Sequence, residues 1–127
     1  MEVEEHLLFK LKFNMSLGLC NLSIVPVRIS NSDKSEMITQ LIYGDLFKII
    51  DEKDNWTKIK CEFDNYVGWI DSKQYVKLDE NQKINRDNQK YSSDLVEFIE
   101  NSSKELITIS IGSNISNIGL LNHKYEG

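Results

Sequence analysis

Met37-Ile38-Thr39-Gln40-Leu41-Ile42-Tyr43-Gly44-Asp45-Leu46-Phe47-Lys48-Ile49-Ile50 holds two apolar runs hinged on one Gly-Asp pair. β-Branched and aromatic side chains dominate both runs, and Gly44-Asp45 supplies the chemistry of a tight turn, so the stretch reads as strand, turn, strand. The pattern continues outward on both sides. Residues 22–29 (LSIVPVRI) alternate, with Leu22, Ile24, Pro26 and Arg28 on one side and Ser23, Val25, Val27 and Ile29 on the other. Pro26 has no N–H to give to a ladder, which predicts a sheet edge or a bulge at that strand. Residues 30–36 (SNSDKSE) read as a polar loop and 51–55 (DEKDN) as a charged turn. Residues 56–63 predict a strand with Thr57, Ile59 and Cys61 on one face and Trp56, Lys58 and Lys60 on the other. Asp64-Asn65 turns the chain into a strand over 66–70; residues 71–74 suit a short 3₁₀ turn before a last strand at 75–78. Five or so short strands within about 60 residues describe a small barrel, whose closure would remove exposed strand edges.

Composition agrees. Leu, Ile, Val and Phe total 39 of the 127 residues, enough for a folded core. Alanine, the best helix former, is absent, while Ile (15), Ser (13) and Asn (12) are abundant and poorer in helices. Thirteen Lys against two Arg fit an AT-rich coding sequence, so part of this bias is of genomic type. No apolar run approaches the length of a membrane-spanning helix. The net charge of −5 disfavours nucleic acid, whose phosphates call for a basic face.

The chain divides into a 1–15 N-terminal extension, a 16–78 barrel, a polar linker at 79–90 (79–90 carries Asp79, Glu80, Lys83, Arg86 and Lys90) and a 91–127 segment. The extension has three Glu among its first five residues and lacks a basic n-region and a small-residue cleavage site, so it does not read as an export signal; Met15 offers a second start. Residues 94–100 (DLVEFIE) fit a strand or a helix face, 106–111 (LITISI) fit a strand, and 112–122 read as irregular. Two strands cannot close a barrel, so this segment either packs on the first barrel or begins a second. Cys20 and Cys61 read as small core residues in a reducing compartment, and with His6 and His123 they have no metal-ligand spacing: no metal and no cofactor is expected.

Five pieces, taken in order, resemble a bacterial SH3 (SH3b) domain: residues 18–28 (GLCNLSIVPVR), residues 35–45 (SEMITQLIYGD), Trp56-x-Lys58-Ile59, Tyr66-x-Gly68-Trp69-Ile70-Asp71, and Lys73-Gln74. The combination is similar to the N-terminal module of NlpC/P60-family cysteine peptidases, in particular the cytoplasmic γ-D-glutamyl-L-diamino-acid endopeptidases that trim murein peptides. The resemblance covers about residues 16–78, and residues 91–127 resemble more weakly a second SH3b-like segment. It implies an all-β fold: a small SH3-like barrel, a linker and a partial second SH3b-like segment leading to a catalytic domain.

The family's nucleophile lies in an Asp-Cys-Ser-Gly motif. Here Cys20 stands in Leu-Cys-Asn and Cys61 in Lys-Cys-Glu, without the base and helix terminus that lower a thiol's pKa. The expectation is therefore a non-catalytic fragment or module with no catalytic residues of its own, not an enzyme. Its partners would be a catalytic domain in cis and a murein peptide with a free N-terminal L-Ala, in the cytoplasm. In the resembled enzymes this module helps to close the pocket for that amine; Glu36 and Tyr66 are the candidates here. A solvated loop carboxylate at Glu36 and a barrel-mouth cover at Tyr66 are the competing readings. Trp56, Trp69 and Asp71 are candidate ligand or interdomain contacts, against wall packing for Trp69 and capping for Asp71. A free-standing module binding peptidoglycan peptides or a protein partner is the alternative. A PxxP-reading adaptor and an oligonucleotide-binding barrel are disfavoured by the missing aromatic run and by the charge.

Overall fold

In a computed structural model the described residues are 16–125 apart from 80, 83, 85–89, 93–95 and 111. The N-terminal extension with His6, much of the 79–90 linker, the first part of the 94–100 stretch and the chain end lie outside them.

Among the described residues ten strands form two sheets. The larger has β1 (Leu17–Leu19), β2 (Ile24–Arg28), β3 (Met37–Ile42), β4 (Leu46–Lys53), β5 (Trp56–Cys61), β6 (Val67–Asp71) and β7 (Val76–Lys77) in the order β3-β2-β6-β5-β4-β1-β7, its pairs antiparallel. The alternation read at residues 56–61 is the observed one: Thr57, Ile59 and Cys61 are buried, and Trp56, Lys58 and Lys60 only partly. Val25 and Val27 likewise point inward from β2. One core cluster draws on Cys20, Val25, Val27, Leu41, Phe47, Ile49, Ile59, Cys61 and Ile70. Five strands of one sheet can meet in one core only if the sheet rolls on itself, the barrel-like form that strand twist favours. The ladder order ends at β3 and β7, so shared burial takes the place of the hydrogen-bonded closure that the sequence suggested.

Three details differ from the sequence reading. Residues 51–53 are strand, not turn: Asp51, Glu52 and Lys53 pair with Lys58, Thr57 and Trp56, and only Asp54-Asn55 turns the chain, with Asp54 at φ 58°. Such two-residue hairpin loops favour left-handed Asp or Asn. The short β1 pairs with both β4 and β7, an arrangement that three residues without alternation do not announce. Residues 71–74 make a β-turn in which Gln74 N–H bonds the Asp71 carbonyl at 3.0 Å. Pro26 does sit beside a bulge, at Val27/Arg28; β2 meets β6 only through Arg28 and Trp69, so the missing proline donor breaks no bond there.

The smaller sheet, in the order β10-β8-β9, joins β8 (Val96–Glu100), β9 (Leu106–Ser110) and β10 (Lys124–Tyr125), with a 3₁₀ segment at Ile118–Leu121. Of the two placements open for this tail, it packs on the first barrel. Ile99 and Ile109 form a cluster with Tyr43, a residue of the β3–β4 turn, and Ile115, Ile118 and Leu121 pack against it. Asn114 N–H bonds the Tyr43 carbonyl at 3.0 Å, and the Ser23 hydroxyl bonds the Thr108 carbonyl. At the seam Gly44 holds φ +86°, and a Cβ there would fall inside the Asn114 carbonyl. Glycine is needed twice over, for the left-handed backbone and for the close approach.

Candidate functional site

β2, β6 and β5 turn one face away from the core. Arg28, Trp69 and Lys58 lie across it in register, with Met37 beyond Arg28 and the Trp56–Asp71 pair one step along. The Lys58 ammonium stands 6.0 Å from the Trp69 ring centroid, a cation–π distance. Trp69 and Trp56 are both half-buried. Gly68 lets this wall form: a Cβ there would lie 2.6 Å from Val27 Cγ1 and 2.8 Å from the Arg28 carbonyl oxygen. Asp71 turns its carboxylate back on its own turn, where Oδ1 accepts the Lys73 N–H at 2.9 Å.

The loop 29–36 closes one end of this face. Arg28 Nη1 donates to the Ser35 carbonyl at 2.9 Å, Ser30 N–H to Ser35 Oγ at 2.9 Å, and Ile29 N–H to the Glu36 carbonyl at 2.9 Å. Those bonds fix the backbone of Glu36 while its side chain stays in water. Antiparallel register from Arg28–Trp69 carries the start of β6 alongside the same loop, bringing Tyr66 to this end. Tyr66 is 53% exposed, and its N–H is held by Asp64 Oδ1 at 3.1 Å. Glu36 and Tyr66 thus share one end of the sheet, two strands apart. Trp56 and Asp71 lie toward the other end, and Trp69 stands between.

The two thiols are on the core side. Cys20 and Cys61 are buried, and burial pushes both up to about 12, with Asp64 and Asp45 adding repulsion at Cys61. A thiol so held stays protonated at neutral pH and is no nucleophile. His123 Nδ1 instead lies 2.6 Å from Tyr43 Oη, the two rings stacked with centroids 5.8 Å apart. Among the described residues no group of His, Cys, Asp and Glu is placed to hold a metal ion, and no helix is long and apolar enough to cross a membrane.

Sequence reading missed a cleft of about 370 Å³ between barrel and tail. The end of β3 contributes Gln40, Leu41 and Ile42, the turn after it Asp45, the start of β4 Leu46, the end of β5 Cys61, the β5–β6 turn Phe63 and Asp64, and the tail Tyr91 and Gly112. Asp45 Oδ2 accepts the Ile42 N–H at 2.9 Å, yet burial holds its carboxyl above the ordinary range and Asp64 raises it further. Phe63 is 92% exposed at the rim. A bulky aromatic among the polar residues of a turn was the one signal of this cleft in the sequence; the other linings are too far apart along the chain to suggest one another.

Residues 27–74 match the family model for the bacterial dipeptidyl-peptidase SH3 domain. The matched stretch runs from β2 to the turn before β7 and includes Glu36, Trp56, Tyr66, Trp69 and Asp71. No curated protein and no solved structure matches the chain. The match suggests a binding or accessory module, since bacterial SH3 domains are generally without catalysis of their own.

Proposed function

We propose that the barrel is the non-catalytic substrate-recognition and interdomain module of an NlpC/P60-type murein-peptide hydrolase, working in the cytoplasm beside the hydrolase domain. The observation that carries this reading is the match of residues 27–74 to the SH3 domain of bacterial dipeptidyl peptidases, which spans both Glu36 and Tyr66. Their chemistry suits the task. A free L-Ala amine is an ammonium group, which needs a carboxylate and benefits from an aromatic hydroxyl or ring nearby. Glu36 would neutralise it, and Tyr66 would wall the pocket from the other side of the loop. The Trp69 wall, with Trp56 and Asp71 along it, would face the rest of the peptide or the hydrolase domain. Two protonated, unpaired thiols are in keeping with a reducing compartment.

The test is an NMR titration of the chain with L-Ala-γ-D-Glu. Shifts should concentrate on Glu36, Tyr66 and the loop 29–36, and Glu36→Gln should weaken binding about tenfold, the worth of one charged hydrogen bond. Unchanged resonances at Glu36 and Tyr66 with the free-amine peptide would remove these residues from the site.

A further inference from the structure

The cleft between barrel and tail is apolar on its walls and anionic at its edges. Leu41, Ile42 and Leu46 form the walls, Phe63 and the half-exposed Tyr91 stand at the rim, and Asp45 and Asp64 come from two different turns. Among the described residues, none that lines it is cationic. Its volume of about 370 Å³ lies within the range of small-ligand sites. An anion could not enter beside two carboxylates, and a purely aliphatic group would strip water from them without return. A compact cation on an apolar stem meets both demands.

We propose that this cleft binds a primary ammonium on an aliphatic stem, the lysine side chain of a partner peptide. The ammonium, with three donors on one point charge, can serve carboxylates from two separate turns, whereas a guanidinium fork is shaped to grip one. The methylene stem covers Leu46 and the exposed ring of Phe63, and the aromatic rim faces the charge. Because the walls come from both the barrel and the tail, the site is complete only while the tail is docked. The inference does not rest on the murein-peptide reading.

The experiment titrates the full chain with Nα-acetyl-L-lysine methylamide, whose blocked α-amine cannot serve the Glu36 site. Amide shifts at Asp45, Leu46, Asp64 and Gly112 should saturate in the millimolar range. The norleucine analogue, which lacks the ammonium, should leave them in place. Asp45→Asn keeps an acceptor for the Ile42 N–H, and Asp64→Asn keeps one for the Tyr66 N–H, so both should retain a dispersed spectrum. Each should weaken lysine binding about tenfold. Equal binding of norleucine, undiminished binding by both variants, or no shift at all with lysine would each overturn the proposal.

Discussion

The barrel and the tail are both antiparallel β structure, but they hold together differently. The barrel buries nine residues from five strands and the β1–β2 connection in a cluster of its own. In the tail the strand residues described as fully buried are Ile99 and Ile109, and they reach burial against Tyr43 of the barrel. A three-stranded sheet with so small an apolar face is marginal alone. The barrel thus carries a core of its own, while the tail reaches burial on the barrel, at the β3–β4 turn that shapes the cleft and, through Leu120 and Leu121, on Leu19, Leu46 and Leu78.

Core truncations should separate the two regions most strongly. Ile59→Ala should cost about 4 kcal/mol by cavity formation and take the tail down with the barrel. Ile109→Ala should release the tail in chemical denaturation followed by NMR while β4, β5 and β6 keep their dispersion. Next comes the seam. Gly44→Ala must leave its left-handed backbone and push Asn114 away, at about 3 kcal/mol, and that cost should fall on tail docking and on the cleft. Gly112 also has positive φ, at +87°, but its Cβ would meet nothing, so Gly112→Ala should cost only about 1 kcal/mol. Equal effects of the two alanines on tail protection would contradict the steric account.

How much of this was legible in the sequence follows the range of the interactions. Alternation at Thr57, Ile59 and Cys61 is local, and it showed both the strand and its inner face. Residues 51–53 misled because composition speaks of solvent, whereas strand pairing depends on a partner: a hairpin tip that projects from the core can be charged and still be fully laddered. The end of the sheet that bears Glu36 and Tyr66 could be named from motifs, since both stand in matched runs. The cleft could not. Asp45 and Asp64 stand on two turns of the barrel that are 19 residues apart, and Tyr91 joins them only because the tail docks there; residues 91–127 carry too weak a pattern to foretell that docking.

Smaller effects probe the seam itself. Tyr43→Phe removes the hydroxyl beside His123 Nδ1 and should weaken tail docking by about 1 kcal/mol without moving the barrel's midpoint. Burial lowers the His123 pKa below its ordinary 6.5. The undocked tail therefore binds a proton more readily than the docked one, so docking is at full strength above 6.5 and weakens as the pH falls below it. The protection of β8 and β9 should fall as the pH drops below about 6.5 while that of β5 holds. A His123→Gln variant that kept the same pH profile would place the titrating group elsewhere.

Native-state hydrogen exchange read at single amides separates a barrel with a dependent tail from one cooperative unit. Two levels of opening are expected: amides of β8 and β9 exchange through a low-energy event that leaves β4, β5 and β6 protected, and Gly44→Ala lowers the first level more than the second. One common opening energy for both sheets, unchanged in its ratio by Gly44→Ala, would show a single cooperative unit and contradict the dependent tail.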